Sequence, residues 1–148
     1  MKISTKGRYA LRMLVDLEIN KDKGFISLKD IAIRQQISKK YLEQIIPLFN
    51  NSGILESNRG FQGGYRMKKP ANECTVADVL KITEGDLSPV SCLSSTPNNC
   101  DRCKECETLY VWEGLEKAIN TYLNSITIKD IADKNYRNKR SADNIVLL

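Results

Sequence analysis

The chain has 148 residues, 41% of them hydrophobic, and carries 23 Lys and Arg against 18 Asp and Glu, a formal net charge of +5, which suits one domain or a small domain with an appendage. No apolar run approaches the roughly 18 residues that a membrane helix needs, and nothing resembles a secretory signal, so a soluble, cytoplasmic protein with no membrane partner is expected. Histidine is absent, which removes the commonest general base and the usual partner of a nucleophile; with no cofactor fingerprint either, an enzyme is not expected.

The opening residues, MKISTKGRYALRMLVDLEIN, place Tyr9, Leu11, Met13, Leu14, Leu17 and Ile19 mostly at helical spacing, with Ser4 or Thr5 available as a cap. Lys2, Lys6, Arg8 and Arg12 crowd the start of that helix, and the run Asn20 to Gly24 breaks it. Ser27 with Asp30 resembles a capping box for a short second helix through Leu28, Ile31 and Ala32. Gln35 and Gln36 fill a turn, Ile37 anchors it, and Ser38 caps a third helix reaching Phe49. Tyr41, Leu42, Ile45, Ile46 and Phe49 line the inner face of this helix, leaving Lys39, Lys40, Glu43 and Gln44 outward near its first turn. This is the layout of a helix-turn-helix, whose second helix enters the major groove; an ordinary helical hairpin has the same spacing.

Residues 53–69 read as strand, glycine-rich turn and strand, with Ile54 and Leu55 before Gly60, Gly63 and Gly64, and Tyr65 and Met67 after them. A hairpin after a helix-turn-helix makes a winged helix, and Arg59 and Arg66 flank its tip, where arginine can enter a minor groove or clamp phosphate. A glycine-rich phosphate cradle is the weaker reading, because no lysine-serine pair follows. The charge is segregated: residues 1–69 carry a net +8, residues 70–126 a net −5 and residues 127–148 a net +2. A basic first half suits a polyanion-binding domain, although a solvated surface would also account for it.

After a linker at Pro70 to Glu73, Thr75 and Asp78 suggest a capping box for a helix ending near Gly85. Cys74, just before it, reads as structural. Four of the five cysteines then fall between Cys92 and Cys106, in CLSSTPNNCDRCKEC. Pro97, Asn98 and Asn99 favour turns, so this is a loop able to fold its thiols around a soft or borderline metal or a cluster. Disulfides are the alternative, disfavoured in reducing cytosol. Leu109, Trp112, Leu115, Ile119, Tyr122 and Ile126 then form one stripe on a long helix, which asks for a partner helix, from a second copy or from its own domain. Thr127 to Asp133 adds one more capped turn, and the charged tail is expected to be disordered. The expected organisation is a winged-helix domain over residues 1–70, a connecting helix, cysteine loop and dimerisation helix over 71–132, and a tail over 133–148. The fold class is mainly α with a small β-hairpin wing.

The segments MKISTKGRYALRML, KKYLEQIIPLF, RGFQGGYRM and VADVLKITEGDLSPVSCL resemble the Rrf family of bacterial winged-helix regulators, in order, over residues 1 to about 132. The family includes IscR-type sensors of iron-sulfur cluster supply, NsrR-type sensors of nitric oxide and CymR-type repressors of cysteine metabolism. CymR-like members lack the cysteine loop, so the resemblance points to the cluster-bearing branches, and IscR-like proteins above all. It implies that Cys92, Cys100 and Cys106 hold an iron-sulfur cluster; 2Fe-2S is preferred and 4Fe-4S stays open. The fourth IscR-type ligand, a histidine three residues after the last cysteine, is replaced here by Leu109. The acidic residue that NsrR-type members recruit from the partner's first helix corresponds to Arg8. Cys103 is the replacement that remains, and full thiolate ligation lowers a reduction potential relative to a histidine-bearing site.

The expected protein is thus a homodimeric regulator, acting as a repressor, that binds double-stranded operator DNA of cluster-assembly or cysteine-metabolism genes. Ser38, Lys39, Lys40, Tyr41, Glu43 and Gln44 would meet the major groove, Arg59 and Arg66 would serve the wing, and Lys2, Lys6 and Arg8 would hold backbone phosphate. Nitric-oxide or redox sensing within the same family, and a partner from cysteine metabolism, stay open. So does a zinc-stabilised interaction module using Cys92, Cys100, Cys103 and Cys106 as a tetrathiolate.

Overall fold

The computed structural model describes residues 1–133. The expected tail lies outside the described residues from position 134 onward.

Helix α1 (Thr5–Ile19) begins where the Ser4 side chain accepts the Gly7 N–H, satisfying one of the donors a helix start leaves orphaned. Its stripe of Ala10, Met13, Leu14 and Leu17 is wholly buried, while Ile19, expected to belong to it, is exposed. A 3-10 turn at Lys21–Lys23 ends the segment, with Gly24 at φ 76°. Helix α2 (Leu28–Gln35) and helix α3 (Lys39–Ile45) follow, capped by Ser27 and Ser38. The third helix stops short of the expected Phe49: Pro47 has no N–H to give, and Ile46–Phe49 tighten into a 3-10 turn that still buries Ile46 and Phe49.

The wing is an antiparallel pair, β1 (Leu55–Asn58) and β2 (Gly64–Met67), with Leu55 opposite Met67 and Asn58 opposite Gly64. A third segment joins it: Ile26 exchanges both backbone hydrogen bonds with Tyr65, at 2.9 and 2.8 Å. This brings the Ile26 backbone so near Gly64 (φ 155°) that a Cβ there would collide with the Ile26 carbonyl. Only glycine fits.

Helix α4 (Val76–Glu84) opens with a complete Thr75–Asp78 capping box and ends at Gly85, φ 78°. The cysteine loop runs from there to helix α5 (Leu109–Asn124), with a 3-10 turn at Ser91–Leu93. Helix α6 (Ile128–Ala132) carries a second full capping box, Thr127 with Asp130. Ile128 donates its N–H to the Cys74 carbonyl (2.8 Å) and Val76 to that of Ile126 (2.9 Å), so the junction of α5 and α6 is stitched to the start of α4.

One core, built on α1, takes in Ile31, Leu42, Ile45, Phe49, Val79, Cys74 and Ile128; a smaller one joins Val76, Leu80, Leu87 and Ile126. Ile126 therefore leaves the expected α5 stripe and turns inward. Helix α5 itself buries none of its 16 residues within the described chain.

Candidate nucleic-acid interface and cysteine loop

An ion pair ties α1 to α2, the first helix of the helix-turn-helix. Asp16, 3% exposed in its side chain, accepts from Arg34 Nη2 at 2.7 Å and Nε at 2.9 Å, and from the Gln35 amide at 3.1 Å. The hydrogen bond to Asp16 raises the Arg34 pKa above its ordinary value, against the opposing effect of burial. Arg12, which the sequence groups with the basic cluster, instead donates to the Gln35 carbonyl at the end of α2 and lies over the Tyr9 ring at 5.2 Å. A cation at a helix C-terminus is favoured by the helix dipole. Gln36 then takes the left-handed conformation (φ 53°) that closes the turn, and Ile37 drops into the core. The Asp16 signal was present in the sequence: a carboxylate three residues after Met13, inside a buried stripe, has to be paired.

Helix α3 presents outward the four residues that the spacing placed there. Lys39, Lys40, Glu43 and Gln44 are all exposed, and Lys39 pairs with Glu43 at 3.5 Å along the helix. Ser38 is engaged as the cap, accepting the Tyr41 N–H at 3.1 Å. Tyr41 is half-buried, edge-on to Tyr9 with ring centroids 5.3 Å apart. Its ring is packing as much as surface, and it sets the first turns of α1 beside the first turn of α3. Lys2 and Arg8 are exposed there, with Arg8 bonded to the Thr5 hydroxyl at 3.0 Å, and Lys6 is half-buried.

The two wing arginines have different situations. Arg59 is exposed and lines, with Glu43, Asn50 and Asn58, the cleft between α3 and the wing. Arg66 is held inside the hairpin: it pairs with Glu56 on β1, directly across the ladder, and covers the Phe25 ring at 4.3 Å.

Behind this face, α1 and α4 are tied end to end. The Glu84 carboxylate accepts from the Ser4 N–H (3.3 Å) and hydroxyl (2.7 Å), and a Cβ on the buried Gly7 would run into Glu84, Leu80 and Thr83. Nothing in the sequence pattern signals this close approach except a glycine inside a helix.

The thiols of the loop are free, and Cys92, Cys100, Cys103 and Cys106 are half-buried or exposed. They do not converge: among the described residues no group of three or more His, Cys, Asp or Glu side chains could hold a metal ion. Within the loop the Cys103 N–H donates to the Cys100 carbonyl (3.0 Å) and the Glu105 N–H to that of Arg102 (2.9 Å), making two successive turns. The donor chemistry does fit a thiophilic group: four unbridged cysteines, and at Cys106 the Thr108 hydroxyl, 3.6 Å away, pulls the thiol pKa below its ordinary value. The loop is anchored at its start, where Ser88 donates to Glu116 on α5 (2.9 Å) and Asp86 accepts from the Ser88 N–H (2.9 Å) and the Ser94 hydroxyl. Cys74, by contrast, is fully buried and burial pushes its thiol up to about 11.

A helix-turn-helix with an outward-facing third helix and a hairpin beside it defines a winged-helix DNA-binding regulator of transcription. The chain belongs to the Rrf2 family, described as an iron-dependent transcriptional regulator, which matches residues 3–134. It is 37% identical over 131 residues to the protein rrf2 of Nitratidesulfovibrio vulgaris, covering 88% of this chain and 87% of that one. It is 35% identical over 132 residues to the HTH-type transcriptional regulator CymR of Bacillus subtilis, covering 89% and 90%. Among solved structures, that of CymR (YrzC), the global cysteine regulator of B. subtilis, superposes with a TM-score of 0.73 at 33% identity over 89% of this chain and 96% of that one. T. potens IscR does so at 0.68 and 35% identity, over 88% and 85%. These relatives are regulators, not enzymes. No described helix is long and apolar enough to cross a membrane.

Proposed function

We propose that the protein is a homodimeric, operator-binding repressor whose cysteine loop holds an iron-sulfur cluster and reports cluster supply to the promoters it controls, those of cluster assembly or cysteine metabolism. One observation carries the reading: a helix-turn-helix and wing with cations turned outward is joined, through α4, to a turn-built loop of four free thiols. Lys39, Lys40, Glu43 and Gln44 would read the major groove from α3, with Ser38 at its cap and Tyr41 bracing it. Arg59 would reach the minor groove, Arg66 would act by stiffening the wing, and Lys2, Lys6 and Arg8 would hold phosphate. Glu43 can accept from cytosine yet is repelled by phosphate, so it contributes discrimination.

Dimerisation is supported by α5, where Tyr110, Val111, Leu115 and Tyr122 stay exposed and Trp112 and Ile119 are only half-covered. A matching helix from a second copy would bury that face. Cys92, Cys100 and Cys106, with Cys103 as fourth donor, would hold the cluster, which supplies a redox- and iron-sensitive crosslink of the loop. A change in loop order has a route to DNA: Asp86, just past the end of α4, holds Ser88 and Ser94 of the loop, and Glu84 of α4 grips Ser4 at the basic start of α1. Nitric oxide or another oxidant attacking the same thiol set would use the same route.

Anaerobic purification with iron and sulfide analysis tests the cofactor. Brown protein with about two or four irons per subunit is expected. Colourless protein holding one zinc would instead favour a tetrathiolate structural site, which four cysteines without histidine also suit. For the DNA, binding should weaken steeply with salt, with a slope of about −0.9 per phosphate contact; a flat response refutes it.

A further inference from the structure

The tip of the wing carries a feature that groove contacts by Arg59 do not account for. Phe61 has a relative exposure of 103%, the most exposed large hydrophobic residue described. It occupies a turn closed by the Gly63 N–H on the Gly60 carbonyl at 3.0 Å, so Phe61 and Gln62 form its outer corner, two residues beyond Arg59. The turn is packed against itself: a Cβ at Gly63 would strike the Asn58 and Gly60 carbonyls. The hairpin beneath is braced by Arg66 between Glu56 and Phe25 and by the two Ile26–Tyr65 hydrogen bonds. A bare phenyl ring is thus held out on a stiff support. Water contact with such a ring is unfavourable and is relieved when a partner covers it.

Three neighbours indicate the partner. Arg59, on the same turn, makes no hydrogen bond or ion pair among the described residues and so keeps its charge for phosphate or a narrow groove. Gln62 and Asn58, both exposed, bring amide donors that match the acceptors on a minor-groove floor. A cation, amides and an apolar ring on one projecting ribbon are what a DNA-bending wedge requires: the ring enters a base step, partly unstacks it, and the duplex bends toward the major groove.

We infer that Phe61 is an intercalating wedge that kinks operator DNA at the minor-groove flank of each half-site, favouring sequences with a flexible pyrimidine-purine step there. This rests on the proposed DNA-binding function. Because the wedge selects by deformability, it would add sequence preference at positions no side chain contacts by hydrogen bond.

The test uses the full chain, prepared anaerobically, and duplexes recovered by in vitro selection from a randomised library, labelled at both ends for energy transfer and carrying 2-aminopurine at the flanking step. Wild type should raise transfer, brighten the 2-aminopurine and enrich a pyrimidine-purine step at the flank. Phe61→Ala should lose all three and bind roughly 5- to 150-fold more weakly, the range for losing one base-aromatic stack. Its slope of affinity against salt should match wild type, because no phosphate contact is lost. Phe61→Leu should keep most of the bend. Both replacements fall at one exposed position, so circular dichroism and thermal midpoint should not move. Arg59→Ala separates the levels: it should weaken binding and flatten the salt slope while bound complexes still brighten the probe. If Phe61→Ala bends and binds as wild type does while Arg59→Ala is impaired, the wedge is overturned and groove binding stands. If wild type enriches no duplex, both fall. If Phe61→Ala alters only the sedimentation of free protein, the ring serves protein association and the wedge is refuted.

Discussion

Replacing Arg34 by alanine should cost the protein more than replacing its partner Asp16. Asp16 is 3% exposed in its side chain and Arg34 33%. Arg34→Ala strips a buried carboxylate of a two-nitrogen fork, leaving it only the Gln35 amide at 3.1 Å. Loss of one member of a buried pair costs about 3–5 kcal/mol. Asp16→Ala leaves an arginine that can turn into water, so the loss falls nearer the roughly 1–3 kcal/mol of unmade charged hydrogen bonds and a small cavity. Asp16→Asn, which keeps the shape and one acceptor, should be milder than either. The double variant Asp16→Leu/Arg34→Met should recover much of the loss, since apolar replacement of a buried pair is often close to neutral. Urea unfolding at one fixed protein concentration, in reductant, reads these differences as midpoint shifts at constant slope. If Arg34→Ala is no more destabilising than Asp16→Ala, the carboxylate is not stranded and the reasoning is wrong.

Gly64→Ala should push β2 away from Ile26, a clash costing on the order of 1–3 kcal/mol, and should weaken DNA binding with little change in helical circular dichroism; unaltered binding would show that the Ile26 contact does not position the wing. At the Lys69–Asp78 pair (2.8 Å), burial pushes the Asp78 carboxyl up but hydrogen bonds from Lys69 and Thr75 outweigh it, so its pKa is lowered, and the bond to Asp78 raises that of Lys69. The depressed carboxyl stabilises the fold above the ordinary carboxylate range, a contribution lost as pH falls through the folded value. Lys69→Met should therefore flatten the acid limb of stability against pH, by well under 1 kcal/mol given that both groups are a third exposed. In metal-free, reduced native protein, iodoacetamide should label Cys92, Cys100, Cys103 and Cys106 and spare Cys74, whose buried thiol has its pKa pushed up to about 11; labelling of all five at one rate in peptide mass spectra would contradict this.

Elements whose cause is local were legible from residue types alone. Ser4, Ser38, Thr75 and Thr127 cap where their hydroxyls lie next to orphaned helix donors, Gly85 ends α4, and the apolar periods of α1 and α3 name their buried faces. The exposure of Lys39, Lys40, Glu43 and Gln44 follows from those same periods. What was not legible depends on residues far apart in the chain. Ile19 fits the α1 period yet stays exposed among the described residues, and Ile126 fits the α5 period yet is drawn inward by the α4 pairing. Arg66 and Arg12 look like free cations until Glu56, Phe25 and Gln35 are brought to them. The thiol spacing states which donors are available but not where the fold holds them relative to one another.

The sequence by itself determined the helix ends, the buried stripes, the charge on the third helix and the wealth of thiols, since each depends on interactions within a few residues. Only the tertiary structure decided which charges are engaged, which glycines are obligatory and which ring stands bare at the wing tip. Those depend on what the fold brings within a few ångströms, and distance along a chain does not encode that.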